Sequence, residues 1–316
     1  MRSAQMKGYG SSEVVEINQN AAAPNDPSDE KVLVKVKAAG VNPIDWKIRE
    51  GYMQQMIPLQ FPSTLGMDFS GIIEKVGASV SGFNAGDEVY GQASVTRGGS
   101  GAFAEIALAN ADSIAHKPKS LNHQEAAGLP LVGVSAWQAL VETIGLTDGQ
   151  KKKILIHGGA GGIGSIAIQL AKRLGAYVAT TASTNDKQFV KELGADEAID
   201  YKTQTFEDLL PHDYDAVFDT VGGETYKRSF EVLKRGSGMI VSMLEQPNQQ
   251  LMEQFSVKSI FQFTQVNRER LTKLAQWVDQ NNIRVNVDRT FPLEEAGKAL
   301  DYQKDVHPRG KVVLAI

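Results

Sequence analysis

The sequence predicts an α/β protein with two parts, an all-β module up to about Leu121 and a doubly wound parallel sheet after it. Two observations carry this prediction. Short β-like segments separated by turns fill the first part, whereas strand-like and helix-like segments alternate from Lys153 onward. Strands joined by helices form right-handed crossovers in a parallel sheet. The length of 316 residues also exceeds one ordinary core, so two domains are expected.

Strand signals in the first part come from alternation. Valines at every second position, Val32, Val34 and Val36, indicate a half-buried strand. Further β segments, bounded by Gly, Asn, Asp and Pro, are predicted at 70–78, 86–92 and 101–109.

The second part opens with a predicted helix over 122–140, where Asn122 and Glu125 form a capping-box pattern. Strands are then predicted at 153–158, 177–182, 197–200, 215–221 and 238–244. Helices are predicted at 163–175, 185–195 and 268–282. A last strand at 310–316 is expected to return to the β module.

Composition excludes several classes of function. The net charge of -4 gives no electrostatic reason to expect a nucleic acid or an anionic membrane as partner. No apolar run approaches the ~20 residues that span a bilayer. The N-terminal segment 1–17 lacks the apolar core of a signal peptide, so a cytoplasmic protein is expected.

Metal and thiol chemistry are not expected. The sequence contains no cysteine, which excludes disulfides, a thiol nucleophile and thiolate zinc sites. No two histidines have metal-ligand spacing. The histidines are His116, His123, His157, His212 and His307.

A glycine-rich turn at 159–164 fits the pattern G-x-G-x-x-G. The pattern alone is weak, since glycine clusters also occur in plain turns, but here a strand precedes it and a helix follows. The first glycine permits a tight turn, the second admits a pyrophosphate and the third lets the helix pack on the strand. The helix N-terminus then supplies N–H groups to the phosphates. The predicted dinucleotide contacts are Gly159, Gly161, Gly162, Ile163 and Gly164.

The cofactor is predicted to be NADPH rather than NADH. NAD binders usually place Asp or Glu about 20 residues after the first glycine. No carboxylate follows here until Asp186, which is interpreted as the cap of the next helix. Ser183 and Lys187 suit a 2′-phosphate, although Lys187 could equally be a solvated helix residue.

Motifs along nearly the whole chain resemble the zinc-independent quinone oxidoreductases of the medium-chain dehydrogenase/reductase family. They include "AAGVNPIDWKIREGYM", "PSTLGMDFSGIIEKVG", "ILIHGGAGGIGSIAIQLAK" and "RGKVVL". The resemblance implies a GroES-like catalytic domain of residues 1–122 and 286–316 and a Rossmann NADP-binding domain of residues 123–285. It also implies an active site in the cleft between the domains. A homodimer through Rossmann edge strands near 236–244 and 257–263 is implied as well.

The resemblance departs from the zinc alcohol dehydrogenases. Asn42 and Met67 stand where those enzymes have cysteine and histidine zinc ligands, and Asp68 stands at a glutamate. The catalytic zinc is therefore expected to be absent. The run 42–47, Asn-Pro-Ile-Asp-Trp-Lys, is similar to that of plant enone and chloroplast-envelope oxidoreductases. The expected substrates thus include α,β-unsaturated carbonyls as well as quinones.

The resemblance also assigns roles on the cofactor side. Tyr201 matches a position that stacks on adenine or touches the 2′-phosphate, and Ser135 matches one near the nicotinamide. Thr220, Val221 and Ser242 lie at the carboxyl ends of predicted strands, where ligands bind in such sheets.

Hydride transfer to a conjugated carbonyl builds negative charge on the carbonyl oxygen, and a hydrogen-bond donor there stabilises the transition state. Lys47 is the candidate donor; it could also hold the nicotinamide ribose or point into water. Tyr52 could donate or simply wall the pocket. Asn42 could bind the ribose or nicotinamide, or serve as a turn residue before Pro43.

Four further side chains are assigned structural roles. His157 is interpreted as a structural histidine and Asp45 as a residue that fixes the turn. Arg309 and Lys311 could neutralise a phosphate, but they are interpreted as solvated ends of the last strand. The predicted function is an NADPH-dependent reductase of quinones or enones; the alternative is an NADPH-binding protein with little turnover.

Overall fold

The computed structural model describes residues 1–56 and 58–316, and the chain forms two compact units. The first unit combines Met1–Leu131 with Val266–Ile316, and the second is Val132–Gln265.

Strands occupy both units. In chain order they are β1 Ser3–Met6, β2 Val15–Asn18, β3 Lys31–Val41, β4 Ser63–Thr64, β5 Asp68–Val76, β6 Glu88–Gln92, β7 Ile106–Asn110, β8 Ile114–His116, β9 Lys153–Ile156, β10 Tyr177–Ala182, β11 Glu197–Asp200, β12 Ala216–Asp219, β13 Met239–Ser242, β14 Lys258–Phe261, β15 Val287–Pro292 and β16 Lys311–Ala315.

Helices connect these strands. In chain order they are α1 Pro43–Arg49, α2 His123–Ala127, α3 Pro130–Trp137, α4 Gly162–Arg173, α5 Lys187–Glu192, α6 Phe206–Leu209, α7 Gly223–Arg228, α8 Gln249–Phe255, α9 Arg268–Asn281 and α10 Ala296–Asp305.

The first unit is built on a seven-stranded sheet in which β15, β16, β3, β5, β6 and β8 follow one another and β7 also pairs with β3. All of these pairings are antiparallel except that of β15 with β16. The predicted valines Val32, Val34 and Val36 are buried in its core. The last strand, β16, lies between β15 and β3, so the predicted return to the β module is confirmed. The predicted strand at 101–109 begins only at Ile106.

Both domain limits expected from the sequence fall inside the first unit. Helix α2 packs against β3 and β5, and α9 packs against β8. Residues 123–131 and 266–285 therefore belong to the unit that contains the β structure, and not to the unit that contains the parallel sheet. Composition changes along the chain could not reveal this packing.

The second unit is a six-stranded parallel sheet with the order β11-β10-β9-β12-β13-β14. This is the doubly wound order of a Rossmann fold, with the reversal between β9 and β12. The predicted α/β class with a parallel sheet is therefore confirmed. Strand β13 is internal, so the expectation that 236–244 forms an edge strand is wrong, whereas β14 does lie at the edge.

The predicted single helix over 122–140 is divided in the structure. Helix α2 ends before Gly128, and α3 begins at Pro130. Proline lacks the N–H that would continue a helix and disfavours helical backbone at the residue before it. The predicted capping box is confirmed, because Asn122 Oδ1 accepts from Glu125 N at 3.0 Å and Glu125 Oε2 accepts from Asn122 N at 2.9 Å.

Candidate active site

The glycine turn joins β9 to α4. The left-handed backbone conformation falls on Gly158, with φ 71°, one residue before the position predicted to allow the tight turn. Gly159 is needed for a different reason. A Cβ added there would lie 2.1 Å from Thr180 Oγ1 on the neighbouring strand β10. Gly159 therefore permits close approach between the turn and the sheet.

Gly164 and Gly161 differ in what surrounds them. A Cβ on Gly164 would lie 2.2 Å from the carbonyl oxygen of Gly158, so this glycine lets α4 pack on the turn that follows β9, whereas the sequence predicted packing on the strand itself. A Cβ on Gly161 would meet only the same oxygen, at an ordinary 3.4 Å. Packing within the chain does not require glycine at 161, and the space beside it suits a group brought close to the backbone.

The N-terminus of α4 is suited to an anion. Gly161 is its N-cap and supplies no side chain to the first turn, which also contains no acidic residue. The first helical hydrogen bond runs from Ser165 N to Gly161 O at 2.9 Å. The amides of Gly162, Ile163 and Gly164 precede that bond, and such amides point along the helix axis with the positive end of its dipole. The residues present thus fit a pyrophosphate.

The residues predicted to hold a 2′-phosphate follow β10. Ser183 Oγ donates to Asp186 Oδ2 at 2.6 Å. Asp186 occupies the N-cap position of α5 but makes no side-chain cap hydrogen bond, so its predicted capping role is wrong. The carboxylate turns to Ser183 because a hydroxyl donor lies within its reach.

Lys187 and Tyr201 are both close to Asp200, the last residue of β11. The pKa of Asp200 lies below its usual value, first because Thr184 donates to it and, among smaller effects, because the ammonium of Lys187 is near. Tyr201 follows Asp200 and is 61% exposed, so its ring is available to stack on a planar ligand. Lys187 itself is half-buried.

Two of the other predicted cofactor residues, Ser242 and Ser135, are buried. Ser242 donates to Asp219 Oδ2 at 2.7 Å, which ties the end of β13 to the end of the neighbouring strand β12. The Oγ of Ser135 lies 2.7 Å from Thr264 Oγ1.

Thr220 and Val221 follow β12. Thr220 Oγ1 donates to the carbonyl oxygen of His157 at 2.7 Å and so ties the end of β12 to that of β9. Val221 is 48% exposed and is available to contact a ligand at the carboxyl end of the sheet.

His157 is a buried histidine with two hydroxyl partners. Its Nδ1 lies 3.1 Å from Thr181 Oγ1 and its Nε2 2.9 Å from Ser229 Oγ. Its ring also meets Phe206 edge-on, with centroids 4.7 Å apart. Burial lowers the pKa of His157 to about 4. A neutral imidazole enclosed in this way agrees with the structural role predicted for it.

Helix α1 carries the predicted hydrogen-bond donor, Lys47. Its Nζ lies 5.7 Å from the centroid of the Trp46 ring, and the side chain is half-buried. Among the described residues no carboxylate forms an ion pair with Lys47. Tyr52 is 72% exposed and meets Trp46 edge-on at 6.1 Å. Trp46 is held in turn by a hydrogen bond from its Nε1 to Gln303 Oε1 on α10, at 3.1 Å.

Asn42 is fully buried, and both halves of its amide are engaged within the protein. Its Nδ2 donates to Asp68 Oδ2 at 2.9 Å, and its Oδ1 accepts from Lys311 Nζ at 2.5 Å. The expectation that Asn42 contacts a ribose or nicotinamide therefore gains no support from its geometry. Asp45 accepts from Asn42 N at 2.8 Å, as expected for a residue that fixes this turn.

The prediction that Lys311 is solvated is wrong. Its side chain is buried, because β16 lies inside the sheet with strands on both sides. Sequence reasoning missed the cluster around it, which joins Asn42 and Asp68 to Gln92 and Lys311. The available signal was the apolar run Val312–Leu314, which is typical of an internal strand. Lys311 directly precedes this run and therefore lies close to the interior.

Two absences apply to residues 1–56 and 58–316. No group of three or more His, Cys, Asp or Glu side chains there could hold a metal ion. None of the helices in those ranges has the length and apolarity needed to cross a membrane.

Known proteins share this arrangement. The model of the alcohol dehydrogenase GroES-like domain matches residues 28–119, and that of the zinc-binding dehydrogenase domain matches residues 193–314. The mitochondrial NAD(P)H oxidoreductase RTN4IP1 of Danio rerio is 34% identical over 98% of this chain and 89% of its own length. The chloroplastic NADPH-dependent alkenal/one oxidoreductase of Arabidopsis thaliana is 36% identical over 97% of this chain and 77% of its own.

A solved structure extends the likeness to three dimensions. The quinone oxidoreductase of Escherichia coli, complexed with NADPH, superposes with a TM-score of 0.88 at 28% identity, covering 100% of both chains. A GroES-like β domain combined with a Rossmann sheet defines an oxidoreductase of the medium-chain type. The chain belongs to the medium-chain dehydrogenase/reductase family, among the quinone oxidoreductases and enone reductases.

Proposed function

We propose that this protein is an NADPH-dependent reductase that transfers a hydride to quinones or α,β-unsaturated carbonyls without zinc. The open space beside Gly161, at a helix N-terminus without a side-chain cap, is the observation that carries the proposal. The names of the two relatives that reduce alkenals and quinones support the substrate class.

The amides of Gly162, Ile163 and Gly164 would hold the pyrophosphate, with Gly161 leaving room for it. Tyr201 would pack on the adenine. When bound, NADPH supplies the hydride, and the protein supplies position and electrostatics.

Preference for NADPH rests mainly on Lys187. The hydrogen of the Ser183 hydroxyl already points to Asp186, so Ser183 can donate to a phosphate only by turning away from that carboxylate. Lys187 is half-buried, its ammonium lies near the Asp200 carboxylate, and its charge would favour a phosphate over a hydroxyl.

On the substrate side, Lys47 would donate a hydrogen bond to the carbonyl oxygen on which negative charge develops. Its place beside Trp46 limits its motion without neutralising its charge. Tyr52, which is exposed, would form part of the wall around the substrate. Asn42 would position α1 rather than touch substrate or cofactor, because its amide is already engaged.

Zinc is not required in this proposal. The positions of the missing zinc ligands are taken by Asn42 and Met67, and Asn42 is bound to an ammonium rather than to a metal. The charge on the carbonyl oxygen would instead be stabilised by a side-chain donor.

The assembly and location of the protein are further parts of the proposal. We propose a homodimer formed through β14, the edge strand, beside which Phe263 is 69% exposed. Light scattering of the parent protein and of Phe263→Asp would test the dimer. We also propose a cytoplasmic location; because the two curated relatives named above are mitochondrial and chloroplastic, cell fractionation is the test.

The proposed activity is tested by anaerobic oxidation of NADPH, and of NADH in parallel, with a quinone, a short enone and a simple aldehyde. Turnover with NADPH on the quinone or enone, and none on the aldehyde, is expected. Tight NADPH binding without turnover on any of the three would instead support a binding protein. Equal or faster turnover with NADH would contradict the role given to Lys187.

A further inference from the structure

A buried polar cluster surrounds Asn42 in the first unit. We call it the Lys311 cluster. Its members come from four elements and one turn, and they are Asn42, Asp45, Asp68, Gln92 and Lys311, each at most 6% exposed. Buried charges of this kind are costly unless they are paired and hydrogen-bonded.

Lys311 enters the cluster from the internal strand β16. Its Nζ donates to the carbonyl oxygen of Val41 at 2.7 Å and to Asn42 Oδ1 at 2.5 Å. The ammonium therefore lies against the two residues that lead directly into α1.

Asp68 meets the same asparagine from β5. Its Oδ2 accepts from Asn42 Nδ2 at 2.9 Å and from Leu131 N at 3.0 Å. Its Oδ1 accepts from Gln92 Nε2 at 2.7 Å. Asn42 is thus held on one side by an ammonium and on the other by a carboxylate, which fixes both the position and the orientation of its amide.

The charges in the cluster are unequal, since two carboxylates face one ammonium. Burial is the main reason why the pKa of Asp45 is raised to about 7 and that of Asp68 is also raised. Lys311 lowers both, and each carboxylate in turn raises the pKa of Lys311, which burial lowers. Gln92, Asn42 and the Leu131 amide complete the surroundings of Asp68 and are uncharged.

Asn42 is the N-cap of α1, and Asp45 lies in its first turn. Lys47 lies in the next turn. The far end of the same helix is held separately, by a hydrogen bond from Arg49 Nη1 to Asp301 Oδ1 at 2.7 Å. A change in the charge of the Lys311 cluster would therefore act on the start of α1 while its end stays anchored.

We propose that Lys311 is a positioning residue of the reductase: its buried ammonium balances Asp68 and Asp45, holds Asn42 in place, and so sets the position from which Lys47 donates. This inference rests on the proposed function, specifically on the role of Lys47. Lys311 does not itself touch substrate or cofactor.

The test is Lys311→Met, which keeps most of the length of the side chain and removes its charge. We expect kcat with the enone to fall roughly tenfold to a hundredfold, as small misplacements of a reacting group do, while the Kd of NADPH stays within about twofold. Because lower pH protonates a carboxylate and restores the balance, the deficit should shrink at least about threefold between pH 8 and pH 6. Lys75→Met is the matched control, since Lys75 forms an exposed ion pair with Asp26 in the same unit.

A second variant, Asp45→Asn/Lys311→Met, removes one carboxylate as well as the ammonium and returns the cluster to its original net charge. The amide oxygen at 45 can still accept from Asn42 N. We expect this variant to recover at least about half of the lost activity on a logarithmic scale, as coupled groups do. If Lys311→Met fails to fold, recovery of folded, active protein in the double variant supports the proposal.

Two results overturn the inference. One is a Lys311→Met enzyme with parental kcat; the other is a deficit that neither low pH nor the Asp45→Asn change relieves, because then only packing has been lost. The parent protein assayed beside the variants keeps the two ideas apart. If the parent itself does not turn over, the proposed function fails; if the parent is active and the variants behave as in either result above, only the role of Lys311 fails.

Discussion

Gly164 packs directly on the backbone of Gly158, since a Cβ at 164 would lie 2.2 Å from the Gly158 carbonyl oxygen. A Cβ at Gly161, in the same turn, would lie at an ordinary contact distance of 3.4 Å from the same oxygen. The two glycines therefore serve different ends, one in the fold and one in ligand binding.

This difference predicts unequal effects on stability for two alanine variants. Gly164→Ala should lower the free energy of unfolding by about 1–3 kcal/mol, because the added methyl must displace backbone. Gly161→Ala should change it by less than about 1 kcal/mol, yet should weaken NADPH binding by roughly tenfold or more, because the methyl enters the space for the pyrophosphate. Urea unfolding and fluorescence titration with NADPH measure the two quantities. Parental affinity in Gly161→Ala would show that this space is not the pyrophosphate site.

The buried imidazole of His157 should make folding stability depend on pH. Its pKa is about 4 in the folded protein, against about 6.5 in an unfolded chain. As pH falls from 6.5 to 4, the unfolded chain takes up a proton that the folded protein does not, so this contribution to stability is progressively lost. The full loss is on the order of 3 kcal/mol.

His157→Gln cannot titrate, so its free energy of unfolding should depend less steeply on pH between 6.5 and 4. Urea unfolding at several pH values measures the slope. The variant is expected to be less stable at pH 7.5, because the ring contact with Phe206 is lost. His212→Gln, at an exposed position, is the control for the loss of a histidine. A parental slope in His157→Gln would contradict the assignment.

Sequence alone predicted most of the fold, because its signals are local. The alternation around Val34, the capping box at Asn122 and the glycine turn each have their cause within a few residues. The α2–α3 break also has a local cause, Pro130, which the apolar pattern concealed.

The parts that the sequence did not predict depend on distant contacts. Lys311 is buried only because β16 inserts between β15 and β3, and its partner Asn42 lies 269 positions away along the chain. Asp186 accepts a hydrogen bond from the Ser183 hydroxyl instead of capping α5, and the spacing of these residues along the chain does not decide between the two arrangements. Residue type and periodicity describe neither of these relationships.

Lys187 is predicted to distinguish the two nicotinamide cofactors. Lys187→Met should raise the KM for NADPH roughly tenfold, since a charge-assisted hydrogen bond to phosphate is lost, and should leave the KM for NADH within about twofold. Lys191→Met is the matched control on the same helix, because the Lys191 ammonium bonds to the carbonyl oxygen of Asp196 instead. Initial-rate kinetics with both cofactors measure the ratio. Equal increases for NADPH and NADH would mean that Lys187 supports the helix rather than the 2′-phosphate.

Lys47 and Lys304 offer a direct comparison, because both ammonium groups lie near the ring of Trp46, at 5.7 and 5.4 Å from its centroid. Lys304 also pairs with Glu50 at 2.8 Å, whereas Lys47 retains its donors for a ligand. Lys47→Met should lower kcat/KM for the enone about a hundredfold, the usual cost of removing one donor to a developing oxyanion. Lys304→Met should lower it less than about threefold, because an exposed ion pair contributes little.

The Kd of NADPH decides between the two roles of Lys47 that the sequence left open. If Lys47 donates to the carbonyl oxygen, the Kd should stay within about twofold of the parental value while kcat falls, because the interaction forms only in the transition state. If Lys47 holds the nicotinamide ribose, the Kd should rise together with the loss of kcat. Stopped-flow measurement of a single anaerobic turnover, with binding titrated separately, measures both quantities. A parental kcat in Lys47→Met would remove this lysine from the reaction altogether.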